Sequence, residues 1–402
     1  MRWIPFIIFI IIVQWYAFQA IKTITQNKFW WAIYALVVGI ILGGVLWQTL
    51  NFDRTVGWIP IVAYSLGMFV ALLSGQLLMI CLLFLEDLSR GASSLLHFFT
   101  SDQKIHFPQR RKFVSQIAIA LGAIPFSSLL YGMYKGRYNY RVLNYTLEYE
   151  NLPDGFDGFQ ITQISDLHCG SFDNTKKVAY GLDLIDKQKS DLVLFTGDMV
   201  NNKANEARPW VEFIAKIKAP YGKFSVLGNH DYGDYSDWEN EADKKQNMEE
   251  MYQIHQDMGF DLLLNESRYI EKNGDRIALV GVENWGAGRF KKAGDLEKSI
   301  SKIEPNDFKI LLSHDPSHWE AEVIPHAYPF HLTLSGHTHG FQFGIEIPGW
   351  IKWSPIQWRY KQWAGIYENK EQKLNVNRGF GYLAYPGRVG IWPEITVITL
   401  KK

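Results

Sequence analysis

Long apolar runs fill the first third of the chain, and from about residue 135 they give way to short apolar segments separated by polar turns. The runs that start at Trp3, Phe29 and Ile59, and a later one from Phe113 to Met133, are each long enough to cross a bilayer as a helix. Between Met1 and Leu85 the only charged side chains are Arg2, Lys22, Lys28, Asp53 and Arg54. The pattern therefore predicts four transmembrane helices. None carries an ionisable residue at its middle, so the region reads as an anchor and not as a transporter or proton relay. The end of the first run, Ala17-Phe18-Gln19-Ala20, gives no small-x-small cleavage site, which favours an uncleaved first helix over a signal peptide. Small residues recur every four positions at Ala35, Gly39 and Gly43 and again at Gly67, Ala71 and Gly75, a spacing that lets helices approach closely in lipid.

Beyond residue 139 the periodicity changes. Tyr140 to Tyr149 alternates apolar and polar positions like a surface strand, whereas Ile161 to Ser165, Leu192 to Thr196 and Phe224 to Leu227 are short apolar runs of the kind found in parallel strands buried on both faces. Helices are expected over Thr175 to Gln188, Arg208 to Lys218 and Asn247 to Met258. Asn273-Gly274 is a tight-turn signal joining Arg268 to Glu271 with Arg276 to Gly281, and the C-terminal portion turns β-rich, ending in Ile395 to Leu400. The expected fold class is α/β (an α+β sandwich): a two-layer β-sheet core flanked by helices, preceded by a four-helix transmembrane region. The domains are drawn at 1–138 for the anchor and 139–402 for the soluble part.

Composition conceals this division, because 41 Lys and Arg balance 41 Asp and Glu and the mean hydropathy of −0.11 averages an apolar third with a polar remainder. The soluble part has no long basic stripe, so no nucleic-acid partner is expected. The two cysteines, Cys81 within a span and Cys169 behind an Asp-Leu-His block, give no disulfide framework. With an even number of spans, the loops opposite the soluble domain carry Lys22, Lys28, Arg90, Lys104, Arg110, Arg111 and Lys112, against Arg2, Arg54, Lys135, Arg137 and Arg141 on its own side. That excess leans towards a non-cytoplasmic soluble domain. An interfacial stretch around Leu95 to Phe99 blurs the count.

The chemistry lies in five short blocks: Asp166-Leu167-His168, Gly197-Asp198, Gly228-Asn229-His230-Asp231, His314 and Gly336-His337-Thr338-His339. Three of them end the strand-like runs, and strands of an α/β sheet gather their carboxyl ends on one edge, so residues distant in sequence can meet there. Carboxylate, amide oxygen and imidazole without thiolate suit two divalent cations such as manganese, iron or zinc, which can share a hydroxide and neutralise an in-line displacement at phosphorus. The other histidines, at 97, 106, 255, 318, 326 and 331, are read as surface or core residues. Cys169 is read as a space-filling side chain beside the cleft and not as a nucleophile.

These blocks resemble the calcineurin-like metallophosphoesterase superfamily, in its membrane-linked bacterial branch, over about residues 140 to 402. Carried over residue by residue, the resemblance implies that Asp166, His168 and His339 hold one metal, that Asn229, His314 and His337 hold the other, and that Asp198 bridges them. His230 then contacts the scissile phosphate and leaving group, with Asp231 as its orienting partner. The sequence departs from the family pattern at Phe341, where a second glycine is usual, and at Val282-Glu283-Asn284, where relatives carry an aspartate-rich turn; both bear on substrate shape.

Residues 341 to 393 concentrate Trp350, Trp353, Trp358, Trp363 and Trp392 beside Lys352, Arg359, Lys361 and Arg388. Two readings stand: an interfacial or lipid-phosphate surface, or a structural cluster with cations over aromatic rings. Arg388 is the expected substrate phosphate contact. The whole implies a multi-pass bacterial membrane protein whose partners are the lipid bilayer and a phosphorylated lipid or small molecule. It would hydrolyse phosphoric ester or pyrophosphate bonds by metal-hydroxide attack. The alternatives are a nucleotide phosphodiesterase of the same superfamily or a non-catalytic metal-binding scaffold.

Overall fold

A computed structural model of the chain describes residues 3–57, 59–100, 108–347 and 349–402. Arg2, Lys104 and His106, used above, lie outside the described residues, as does the side chain of His97. The described residues fall into two compact units, one within 1–52 and 64–132, the other within 53–63 and 133–402.

The first unit is helical. Helices α1 (Ile4–Ile24), α2 (Lys28–Leu50), α3 (Pro60–Thr100) and α4 (Pro108–Tyr134) coincide with the four apolar runs. Of the two small-residue series, only the second packs. A Cβ added at Gly75 would lie 2.7 Å from the carbonyl oxygen of Gly122, so α3 and α4 touch backbone to backbone there. By contrast, Gly39 and Gly43 have nothing within 4 Å. Gln14, Gln76 and Tyr34 form a hydrogen-bonded node across three helices (2.7–2.8 Å), which satisfies their polar groups inside an apolar bundle. The expected interfacial stretch at Leu95 to Phe99 belongs to the continuous end of α3, where Leu95, Leu96 and Phe99 are exposed. Before it, Glu86 and Asp87 pair with Arg111 at 2.6 and 3.0 Å.

The second unit holds two six-stranded sheets. The first contains β1 (Arg141–Glu148), β2 (Gln160–Ile164), β3 (Leu192–Phe195), β4 (Lys223–Ser225) and β5 (Asp261–Leu262). The second contains β6 (Glu266–Lys272), β7 (Asp275–Gly281), β8 (Lys309–Leu312) and β9 (Leu332–Ser335). A separate hairpin pairs β10 (Ile345–Ile347) with β11 (Ile351–Trp353); β12 (Gly365–Asn369) and β13 (Gln372–Val376) complete the second sheet and β14 (Glu394–Lys401) the first. The orders are β1-β14-β2-β3-β4-β5 and β12-β13-β9-β8-β7-β6.

Alternation along each strand sorts the core. In β3, Leu192 and Leu194 face the other sheet, together with Ile161, Leu279, Ile310, Leu312, Leu332 and Leu334. Val193 and Phe195 face outwards onto α5 (Thr175–Asp186), α6 (Val211–Ala215) and α7 (Glu241–Asp257). The second sheet is covered through Val280, Leu311 and Val376 by α8 (Leu296–Ile300) and the turn at Trp319 to Val323. Burial on both faces is why these strands read as continuous apolar runs rather than alternating ones.

Local expectations fared unevenly. The Asn273-Gly274 turn joins β6 to β7 with both residues at positive φ (55° and 88°), as a two-residue hairpin of this type requires. Helix α7 starts six residues before the expected Asn247, at Glu241, because Asn240 caps it by accepting from the Asp243 N–H at 3.0 Å. Its first turns are polar, so apolar periodicity misses them. The expected helix at Arg208 to Lys218 is a short 3-10 segment followed by only five α-helical residues, since Pro209 withholds a backbone donor.

His255 on α7 illustrates what the bland histidines do. It is fully buried between Phe195 and Phe260 with Nδ1 2.9 Å from Ser225 Oγ. Burial pushes its pKa down to about 3. A group that protonates near 6.5 unfolded but near 3 folded leaves stability untouched above pH 6.5 and removes it as pH falls through that window, by about 2 kcal/mol at pH 5. Thermal unfolding of the detergent-solubilised protein should therefore shift to lower temperature between pH 7 and pH 5, and His255→Leu should flatten that dependence. An unchanged pH slope in the variant would remove His255 from the account.

Candidate metal centre

Every block identified in the sequence sits just past the carboxyl end of a strand. Asp166 and His168 follow β2, Asp198 follows β3, Asn229 and His230 follow β4, His314 follows β8, and His337 and His339 follow β9. Because β2, β3 and β4 run parallel in one sheet and β8 and β9 parallel in the other, these ends converge at one rim of the sandwich. The loops bend sharply. Asp166, His168, Asp198, His337 and His339 all adopt φ between 49° and 70°, a left-handed backbone that non-glycine residues take only when the surrounding structure holds them. Gly336 is obligatory for a different reason: a Cβ there would stand 2.3 Å from Asp166 Oδ2.

The side chains form two groups, Asp166 with His168 and His339, and Asp198 with His314 and His337, each with its candidate ligand atoms within 4.8 Å of one another. His168 Nε2 lies 3.0 Å from His339 Nε2, and His339 Nε2 lies 3.2 Å from Asp166 Oδ1. In the other group His314 Nε2 is 3.3 Å from His337 Nδ1. Asp198 Oδ2 faces both, 3.1 Å from His314 Nε2 and 3.6 Å from His168 Nε2.

The residues present fit a pair of cations. His168 Nδ1 meets the Val200 carbonyl at 3.1 Å and His314 Nδ1 the Thr196 carbonyl at 2.7 Å. A carbonyl only accepts, so each Nδ1 carries the proton, and in the neutral ring the Nε2 lone pair points into the centre. Asn229 Oδ1 is buried with no hydrogen-bond partner, the state of an oxygen left for a metal. Electrostatics agree. Burial opposes charge on Asp166 and Asp198, yet the surrounding imidazoles more than offset it and hold both carboxyls well below their ordinary range. Burial drives His168 down and lowers His337. For His314 burial acts in the same direction, but Asp198 and Asp166 override it and raise the ring to about 10, a demand for positive charge that a metal cation meets.

His230 stands beside this cage, not in it. Its backbone N–H donates to Asp198 Oδ1 at 2.9 Å, its Nδ1 to the Asn201 carbonyl at 2.7 Å, and its ring lies against Tyr235 with centroids 4.4 Å apart. Burial lowers its pKa. The expected orienting partner is corrected by these contacts: Asp231 is fully buried and accepts from the backbone N–H groups of Asp198, Met199 and Gly228 at 3.0, 2.7 and 2.8 Å. It ties the β3 and β4 loops together, and the Asn201 carbonyl orients His230.

Arg388 is corrected too. It is fully buried, donates to the carbonyls of Gly379 and Gly381, and places Nη2 3.3 Å from His339 Nδ1. It braces His339 from behind, out of reach of a ligand in the cleft. Cys169 is buried, and burial pushes its thiol well above the ordinary range, so it is inert as a nucleophile. Phe341, in place of the usual glycine, takes φ 59° and leaves its ring exposed, while Glu283 accepts from Tyr232 at 3.1 Å. The tryptophans divide between the two sequence readings. Trp363 is buried under Lys352, 5.2 Å from its centroid, whereas Trp350 and Trp358 are exposed.

Sequence reasoning missed Tyr360. Its hydroxyl lies 2.8 Å from His337 Nε2, on the far side of the ring from the Nδ1 that faces His314. With Nδ1 as ligand atom, Nε2–H donates to that hydroxyl and fixes the ring. Nothing in the local sequence marks the residue. Tyr360→Phe is expected to weaken retention of the His314-side ion by about 10- to 100-fold in competition with a chelator, the usual cost of losing such an outer contact. Retention equal to the parent would show that the ring is fixed without it.

Comparisons with known proteins follow the same division of the chain. The family model for calcineurin-like phosphoesterases matches residues 159–341, and that for the transmembrane domain of a probable calcineurin-like phosphoesterase matches residues 1–137. The uncharacterized metallophosphoesterase YkuE of Bacillus subtilis is 31% identical over 298 residues, covering 73% of this chain and 97% of its own. A transmembrane protein with metallophosphoesterase domain from Danio rerio is 25% identical over 387 residues, covering 94% of this chain and 81% of its own. The UDP-2,3-diacylglucosamine pyrophosphatase LpxG of Chlamydia trachomatis is 28% identical over 280 residues, covering 58% of this chain and 81% of its own.

Proposed function

This chain belongs to the calcineurin-like phosphoesterases, and from that membership we propose that it hydrolyses phosphoric ester or pyrophosphate bonds of a lipid-linked or membrane-associated substrate, at a centre of two divalent cations. The observation that carries the reading is the position of Asp198 Oδ2 between His314 and His168, one oxygen presented to both ligand groups. Asp166, His168 and His339 would hold one ion, Asn229, His314 and His337 the other, with Asp198 between them; manganese, iron and zinc all suit this donor set. When bound, such ions polarise phosphoryl oxygens and make a water-derived nucleophile available near neutral pH.

The chain's own residues do the remainder. His230, its Nδ1 engaged by Asn201, offers Nε2 to the phosphoryl group and the departing oxygen. Asp231 and Arg388 keep the loops and His339 in place. Four spans favour a substrate delivered in the bilayer, and one relative is named for acting on an acylated nucleotide sugar. The excess of basic residues on the loops opposite the catalytic domain favours a non-cytoplasmic site. We place the boundary between anchor and catalytic domain at 138/139.

Purified protein in detergent, supplied with manganese, should hydrolyse an aryl phosphodiester and release phosphate or phosphomonoester from lipid phosphates, and a chelator should abolish both. Turnover that persists in excess chelator would overturn the dinuclear reading. Turnover of the aryl ester with none of a panel of lipid phosphates or lipid pyrophosphates would overturn the substrate class.

A further inference from the structure

The hairpin of β10 and β11 leaves apolar side chains exposed. Ile345 pairs with Trp353 and Ile347 with Ile351, so these four side chains share one face, while Glu346 and Lys352 share the other. The polar side chains reach back onto the domain, Glu346 half-buried and Lys352 exposed along its length. Glu346 pairs with Arg378, and Lys352 bonds the Ala364 carbonyl with its ammonium over the rings of Trp363 and Tyr367. On the apolar face Ile351 and Trp353 are half-buried, but Ile345 is 50% exposed, Trp350 at the turn 76% and Trp358, packed edge-on to Trp353 at 6.3 Å, 78%. Phe341, two residues after His339, adds its exposed ring. A patch of this kind on a soluble surface marks a contact site.

We propose that this face inserts into the surface leaflet of a lipid bilayer. Two observations choose lipid as the occupant. The chain carries four membrane-crossing helices, and it leaves α4 at Tyr134 and enters β1 at Arg141, a link that reaches no more than about 25 Å, so the catalytic domain works beside a bilayer. In addition, the exposed side chains combine aliphatic Ile345 and Ile347 with tryptophans at the hairpin turn and edge, the pairing that settles at the boundary of headgroups and acyl chains. The face begins beside the metal ligands, and Tyr360, two residues after Trp358, touches His337. A lipid lying against it would therefore present its phosphate near the centre.

The test reads location and not turnover, so its failure leaves the hydrolase reading standing. In full-length protein carrying Cys81→Ser, with Cys169 buried and unreactive, single cysteines are introduced as Ile347→Cys, Trp350→Cys or Trp358→Cys, with Lys370→Cys on the exposed turn between β12 and β13 as control. Each is labelled with an environment-sensitive fluorophore in nanodiscs of phosphatidylcholine and phosphatidylglycerol that contain a lipid with a nitroxide on its acyl chain. The labels at 347, 350 and 358 are expected to shift to the blue and to be quenched several-fold more strongly than the label at 370. Labels as water-exposed as the control overturn the proposal. So do labels that shift to the blue without nitroxide quenching, since the face is then covered by protein, whether the chain's own spans or a second copy.

Discussion

Asp198→Ala protein is expected to retain fewer than one ion per chain where the parent retains two, and to lose hydrolytic activity by about 1000-fold or more. The first half of that statement follows from geometry. Asp198 Oδ2 is presented to both groups, at 3.1 Å from His314 Nε2 and 3.6 Å from His168 Nε2, while Oδ1 receives the His230 N–H. Removing the carboxylate leaves imidazoles facing one another with no shared anion, so each ion loses a negative ligand and gains unscreened repulsion from the other. The second half follows from charge: two cations supply several kcal/mol of stabilisation at a phosphoryl transition state, and every 1.36 kcal/mol is tenfold in rate. Metal analysis after dialysis, with circular dichroism to show that the sheets persist, checks both. An alanine variant that keeps two ions would remove Asp198 from its bridging place.

His230→Ala should behave in the opposite way on metal content. Its ring meets His168 edge to face at 4.9 Å, but it is not among the atoms gathered in either ligand group: Nδ1 goes to the Asn201 carbonyl and the ring lies against Tyr235. Ion content should stay near two per chain while kcat falls by about 100-fold or more, the scale on which a general acid or a single transition-state donor contributes. KM should move much less than kcat, because the lost interaction strengthens only as the leaving group departs. Loss of an ion from this variant would put His230 inside the coordination cage. The two variants together separate ion holding from proton delivery, which activity measurements alone would merge.

The ligand blocks were legible in the sequence because a metal site needs side chains of particular chemistry at strand ends, and Asp166, Asp198 and Asn229 each close a short apolar run. The contacts that hold those side chains were not. Val200, Thr196 and Asn201 act through backbone carbonyls, which have no residue signature. Tyr360 reaches His337 from a turn that sequence separates by more than twenty residues. Asp231 and Arg388 were recognised as important types at telling positions, but whether a charged side chain faces the cleft or its back wall depends on packing across both sheets. The same holds for strand pairing. An alternating Tyr140 to Tyr149 announces a strand, yet nothing local says that β1 runs parallel to β14.

That pairing governs how the catalytic domain is assembled. β14 lies between β1 and β2, hydrogen-bonded to both. A nascent chain emerging from the ribosome can pair β2, β3, β4 and β5 early, but β1 joins this sheet only once residues 394–401 have been translated. The strand that follows the last membrane helix is thus tied to the rest of its sheet only by a strand more than two hundred residues further along.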